Sequence, residues 1–279
     1  PGRAGQTGEQ VCRRHAVIIA PRPEATGLFR RVGQRFGDLR ATYQEIFETE
    51  RPGAEHTGKR GGAGGKVDKS DNDAGLAEFS DGAVGWSEAM RALGAAAIRE
   101  AFEESGILLA RDAATGDFVH EARLSDLEPY RHALEKHETT LLEVLRKERL
   151  RLALDQLVRF AHWITPEHMP KRFDTHFFIA PSPVGHAGRH DGRESVDSVW
   201  IGPDQAIADR KTWNVVFPTK LNLMKLARSR SVADALRNAA TEIPLTVTPW
   251  IEDGADGKLL RIREDAGYEQ TQVKLKEAF

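Results

Sequence analysis

The segment Arg99–Ile107, R-E-A-F-E-E-S-G-I, gathers three carboxylates into one short stretch: Glu100, Glu103 and Glu104. On a helix of 3.6 residues per turn these positions are i, i+3 and i+4, so the three side chains leave one face within about a turn. Like charges at that spacing repel and weaken an isolated helix. A divalent cation removes the penalty. Hard oxygen ligands are what Mg²⁺ and Mn²⁺ select, and Mg²⁺ typically combines few carboxylates with substrate phosphates. The opposite face carries Ile98, Ala101 and Phe102 and predicts packing on a sheet, which would hold the carboxylates rigidly. Gly106 predicts a sharp turn into the apolar Ile107–Ala110. Taken by itself, an acidic cluster of this kind also reads as a solvated helix face.

The elements that must position this cluster follow from apolar spacing. Trp86–Ala110 reads as an Ala-rich helix with Leu93, Ala97, Ile98, Ala101 and Phe102 as its stripe and Gly106 as its stop. His15–Ala20 and Arg172–Ala180 read as strands, as does Val196–Ile201. Recurring leucines from about Leu127 to Phe160 predict a second long helical stretch; Pro203–Ala208 and Pro218–Leu236 predict further helices. Pro244–Trp250 and Lys258–Ile262 read as a closing hairpin around Asp253–Gly257, and a mixed pattern over Gly27–Ile46 is compatible with a helix. Strands separated by helices predict one α/β or α+β domain over residues 15–279, after a disordered lead-in at 1–14, with a helical insertion at about 120–165.

The nine residues Arg99–Ile107 resemble the R-E-apolar-x-E-E-x-G-apolar core of the Nudix box, with Ala101 in the first apolar place. Gly64-Gly65-Lys66-Val67-Asp68 resembles the Gly-Gly turn that precedes this helix in the family, but it stands much further upstream of Arg99 than in compact members. A stretched box of this kind resembles the branch of Nudix hydrolases typified by the peroxisomal coenzyme A diphosphatases. So do Trp163-Ile164-Thr165-Pro166, Arg172-Phe173-Asp174-Thr175 with Phe177-Phe178, Glu194 with Trp200 and Pro203, and Pro218-Thr219 with Leu221. The chain also departs from the pattern. Arg91 stands where the box has an additional Glu, and Gly62-Ala63 where Phe-Pro is usual; Glu88 is then the candidate partner for Arg99.

The resemblance implies a Nudix-type α/β/α sandwich with a mixed sheet, and a metal-dependent hydrolase that cleaves a nucleoside diphosphate linked to another group. It assigns Glu100 and Glu104 as primary ligands of Mg²⁺ or Mn²⁺, Glu103 as a further or water-mediated ligand, and the Gly64 carbonyl as an added oxygen. Arg99 then orients carboxylates, Gly106 shapes the turn, and Glu194 is the loop candidate for general base or extra ligand; which carboxylate deprotonates the water varies in the family. Coenzyme A or an acyl-CoA is the substrate the branch suggests. An ADP-sugar, a dinucleotide, or a non-catalytic nucleotide-binding or regulatory role remain alternatives, and family habit allows a homodimer.

Composition narrows the partners. Lys+Arg 40 against Asp+Glu 42 gives a net charge of -2, which carries no basic excess for duplex nucleic acid, so a polyanion must be bound locally. Mean hydropathy of -0.48 and the lack of any apolar run near the roughly 20 residues of a span argue against a membrane helix. The one cysteine, Cys12, cannot form an internal disulfide, and the N-terminal residues do not read as a signal peptide, which predicts a reducing, cytoplasmic setting. His186 and His190 share a loop, but no cysteine or helical H-x-x-x-H context supports a zinc pair there.

Overall fold

The computed structural model describes the backbone of strand β1 (Cys12–Ala20) and, with side chains, residues 67–167, 169, 172–186, 201–208 and 215–278. The expectations for Gly27–Ile46 and for residues 196–200 lie outside these described residues.

The helix that carries the acidic cluster, α1 (Glu88–Ser105), is defined at both ends by local chemistry. The Ser87 hydroxyl accepts the Met90 N–H at 3.2 Å, and Gly106, at φ +68°, donates its N–H to the Phe102 carbonyl at 2.8 Å. Gly94 is required by close approach. A β-carbon there would sit 2.9 Å from the Trp86 ring and 3.0 Å from the Leu154 side chain, so a larger residue must displace one or both. Ile98 and Phe102 are buried as predicted, but so are Arg99, Glu100 and Glu104. The helix is enclosed on nearly every side, which overturns the solvated-face reading.

The largest sheet has the strand order β1-β6-β5-β7. Strand β6 (Phe173–Pro181) pairs parallel to β1 and antiparallel to β5 (Val158–Ile164), and β5 pairs parallel to β7 (Thr246–Val247), so the sheet is mixed. Successive residues of β6 face opposite ways. Phe178 and Ala180 join Ile98 and Phe102 of α1 in one core. Phe177 and Ile179, with Phe160 and Trp163 of β5, pack against α4 (Pro203–Ala208), α5 (Phe217–Ala227) and α6 (Val232–Thr241) in a second core. The result is the predicted α/β/α sandwich.

Two long helical stretches expected from the sequence, 127–160 and 218–236, are in fact divided. The 127–160 stretch is α2 (Glu121–Glu135), α3 (Leu141–Glu148), β4 (Leu150–Ala153) and the start of β5. Thr140 and Glu143 form a reciprocal capping box that starts α3, and Arg149 ends it in the left-handed region at φ +54°. The strand β4 then pairs with β2 (Ser80–Asp81) and β3 (Ala110–Asp112), so the insertion's helices stop well short of residue 165. Pro218–Leu236 likewise breaks before Ser231, whose hydroxyl caps α6 by accepting the Asp234 N–H at 3.1 Å. The closing hairpin is β8 (Trp250–Gly254) and β9 (Gly257–Arg261), with β10 (Gln272–Lys274) beside β9; Thr246–Val247 of the expected first arm joins the main sheet instead. Among the described residues no helix is long and apolar enough to cross a membrane.

Two buried polar contacts tie distant segments to this frame. Asp71, on a 3₁₀ turn (Lys69–Asn72) ahead of α1, accepts a two-pronged pair of hydrogen bonds from Arg99, Nε to Oδ1 at 3.0 Å and Nη2 to Oδ2 at 2.9 Å. The Asp68 N–H adds a third at 2.8 Å. Glu88, the expected partner of Arg99, is exposed at the first turn of α1, about three turns before Arg99 along the helix. On the far side, His186 after β6 is buried, and its Nε2 donates to the Val119 carbonyl at 2.8 Å. Its Nδ1 is buried with no hydrogen-bond partner among the described residues, and burial holds the imidazole below its ordinary pKa of 6.5.

Both contacts are open to test. Replacing Asp71 by Asn strands the Arg99 charge in a buried site and is expected to lower stability by about 3 kcal/mol, read from urea midpoints; a loss below about 0.5 kcal/mol would show that the pair holds little together. A depressed histidine pKa means the folded state favours the neutral ring, so this stabilisation is complete above the unfolded value of 6.5 and is lost as pH falls below it. His186→Gln keeps an N–H donor for Val119, and its melting temperature should fall less than the wild type's as pH drops from about 7.5 to about 5. Equal slopes would count against His186.

Candidate active site

The last two turns of α1 place acidic side chains at the negative end of the helix dipole, where they are unfavourable in addition to repelling one another. Two arginines make the arrangement tolerable. Arg131 of α2 is buried and donates from Nε and Nη2 to the Glu103 carbonyl, at 3.2 and 3.0 Å, putting positive charge where the helix ends. Its guanidinium lies over Gly106, where a β-carbon would approach within 3.2 Å, so the glycine serves close packing as well as the left-handed turn. Arg131 was not anticipated from the sequence.

Arg99 is the second. It holds Asp71 on one side, grips both Glu103 oxygens through Nη1 at 3.1 and 2.9 Å, and reaches Glu100 Oε1 from Nη2 at 3.3 Å. Burial works to lower the guanidinium's pKa, but the hydrogen bonds and charge of Asp71, followed by Glu103 and Glu100, outweigh it and raise the pKa further. Burial pushes the Glu103 carboxyl up to about 7, with Arg99 pulling the other way and the charges of Glu100 and Asp71 adding to the rise. The guanidinium is shared among Asp71, Glu103 and Glu100, with Asp68 Oδ2 3.9 Å from Nη2, so none of them receives its full charge.

The three glutamates are therefore not equivalent. Glu103 is turned to Arg99 with both oxygens, whereas Glu100 and Glu104, one helical turn apart, are buried to 9 % and 6 % exposure along α1. A pair of rigidly held carboxylates on one helix face is an all-oxygen donor set suited to Mg²⁺ or Mn²⁺, and these two residues fit such an ion. Gly64 and Glu194, the other expected contributors, lie outside the described residues. Arg91, where the box has its extra Glu, donates from Nη1 to the Trp86 carbonyl at 2.6 Å. Asp71 fills the role that Arg91 vacates. The signal for it was present in V-D-K-S-D-N-D, an acidic run within the stretched connection, but nothing local marked which of its aspartates turns inward.

The sheet also brings His162 together with Asp174 and His176 of the R-F-D-T-H-F-F segment, a grouping that no motif predicts. Among the described residues, the group that places three ligand atoms within 4.8 Å of one another is His162, Asp174 and His176, on neighbouring strands β5 and β6.

Comparisons with known proteins agree with this architecture. The family described as the NUDT19 Nudix domain matches residues 78–225, which include all of α1, β5, β6 and α4. An acyl-coenzyme A diphosphatase NUDT19 from Xenopus laevis is 29 % identical over 133 residues, 44 % of this chain and 35 % of that protein, so the match spans about a third of the relative's length. The crystal structure of a NUDIX hydrolase from Alicyclobacillus acidocaldarius superposes with a TM-score of 0.54 at 20 % identity, covering 84 % of this chain and 99 % of that one, a likeness of fold. With the family match extending over more than half of the chain and including the whole of the buried acidic helix, this protein belongs to the Nudix hydrolase superfamily, in the NUDT19 Nudix domain family.

Proposed function

We propose that the chain is a divalent-metal-dependent diphosphatase that hydrolyses coenzyme A or an acyl-CoA to a phosphopantetheine product and adenosine 3′,5′-bisphosphate. The observation that carries the reaction class is the buried presentation of Glu100 and Glu104 in the last turns of α1, beside the Arg99–Asp71 pair, from which Arg99 also reaches Glu100. The coenzyme A assignment rests on the family match and on the Xenopus relative's name.

In this reading Glu100 and Glu104 hold Mg²⁺ or Mn²⁺, with the Gly64 carbonyl as a further oxygen. When bound, the metal neutralises diphosphate oxygens and lowers the pKa of the attacking water. Water adds to one phosphorus, the bridging P–O bond breaks, and the water's proton is taken by a carboxylate, for which Glu194 and the α1 glutamates are the candidates. Glu103 fixes Arg99 and adds negative charge beside the pair; a water-mediated contact to the metal is its remaining proposed role. Residues 15–279 act as one domain in this scheme, in a reducing compartment that leaves Cys12 as a thiol.

A non-catalytic nucleotide binder is favoured by Gly62-Ala63 in place of Phe-Pro, which lies outside the described residues, and by Arg91 in place of the Glu expected to partner Arg99. Asp71 supplies the arginine's partner from another segment, which removes the second ground.

A panel of diphosphates assayed with Mg²⁺ or Mn²⁺ should show coenzyme A or acyl-CoA turned over to adenosine 3′,5′-bisphosphate in preference to ADP-sugars and dinucleotides. Preference for either of those would replace the substrate assignment, and turnover of no diphosphate would overturn the enzyme reading. Glu104→Gln should reduce metal-dependent turnover by at least about 100-fold at unchanged melting temperature, whereas full activity in that variant would exclude Glu104 as a ligand.

A further inference from the structure

His162, Asp174 and His176 form a constellation that the diphosphatase reading does not use. The strand register places His162 directly opposite His176, and Asp174 two residues before His176 on the same face of β6. Their imidazole rings stack with centroids 3.9 Å apart and an interplanar angle of 11°. Both rings bring a nitrogen near one carboxylate oxygen: Asp174 Oδ1 lies 2.5 Å from His162 Nε2, a hydrogen bond, and 3.6 Å from His176 Nε2. The other nitrogen of His162, Nδ1, sits 2.8 Å from Thr246 Oγ1 of β7.

From this geometry we propose a second metal site, built by His162 Nε2, Asp174 Oδ1 and His176 Nε2 and selective for a borderline divalent transition ion, with Zn²⁺ as the leading occupant. The donor chemistry differs from that of the α1 glutamates: two imidazole nitrogens and one carboxylate favour Zn²⁺, Co²⁺ or Ni²⁺ over Mg²⁺. The strands fix the backbone positions of all three ligands, and the stacked imidazoles must splay for both nitrogens to point at one ion. Thr246 supplies the outer contact that a ligating histidine requires, accepting from Nδ1–H so that Nε2 presents its lone pair to the ion. With bonds near 2.1 Å, ligand atoms around a tetrahedral ion stand about 3.4 Å apart. The 3.6 Å separation already meets that figure, and the 2.5 Å contact opens by a small rotation of Asp174. Three protein ligands leave a fourth position, and side-chain exposures of 14 % for each histidine and 21 % for Asp174 give water a route to it. Residues 174, 176 and 178 alternate onto the same sheet face, and Phe178 packs with α1, so the site shares the α1 side of the sheet while standing on different elements.

The test uses the full chain, freed of any histidine tag, stripped with chelator and titrated with Co²⁺ and Zn²⁺ in excess Mg²⁺. The wild type and the Glu100→Gln/Glu104→Gln double variant should each retain one equivalent of Zn²⁺ after gel filtration and develop the visible bands of nitrogen-ligated Co²⁺. His176→Ala, Asp174→Asn and His162→Gln, checked for folding by circular dichroism, should lose both signals. X-ray absorption of the zinc-loaded wild type, which needs no variant, should read two imidazole nitrogens. The proposal is overturned if the wild type retains no Zn²⁺, if the equivalent persists in the folded His and Asp variants or vanishes in the double Glu variant, or if the zinc shell contains only oxygens.

Discussion

The structure around the active helix depends on where one buried positive charge is spent. Arg99 meets Asp71 with two hydrogen bonds, Glu103 with two more, and Glu100 with a longer one, all from a side chain that water scarcely reaches. Removing such an ion from water is costly, and only dense pairing makes it tolerable. The pairing also has a direction. Asp71 and Glu103 take the shorter contacts, so the guanidinium locks the preceding turn to α1 and draws Glu103 inward, while Glu100 and Glu104 remain as the rigid pair. Rigidity of that kind is what a site for phosphoryl chemistry requires, because its catalysis is largely positioning and charge stabilisation.

The stretched connection before α1 acquires a physical purpose in this light. The position where the box has its additional Glu is Arg91 here, on α1 itself. The partner of Arg99 arrives from a 3₁₀ turn, and the intervening chain forms part of a second small sheet, β2-β4-β3, whose middle strand emerges from the helical insertion. Replacement of a helix Glu by Arg91 is thus compensated at a distance, and the acidic helix keeps an intact electrostatic frame.

Features governed by neighbours in the chain were legible beforehand. Helix α1 shows a 3.6-residue stripe, a serine at its start and a glycine at its stop, and β6 shows a run of apolar residues entering a core. The 127–160 stretch was not resolved in the same way, because leucines in buried strands and leucines on helix stripes give the same apolar count. The capping box at Thr140 and Glu143 was the local clue to the division; Arg149, in a left-handed conformation unusual for its type, offered none.

The amino-acid sequence by itself determined the family and the three carboxylates of one helical turn, because both are encoded in residues close enough to be read as a pattern. Tertiary structure alone decided which carboxylate Arg99 captures, that Asp71 is its main partner across 28 residues, and that Arg131 closes the helix end. It also brought His162, Asp174 and His176 together, the closest pair in space being 12 positions apart in the chain. These are consequences of strand register and of burial, which set the energetic worth of a charge by what surrounds it rather than by what precedes it.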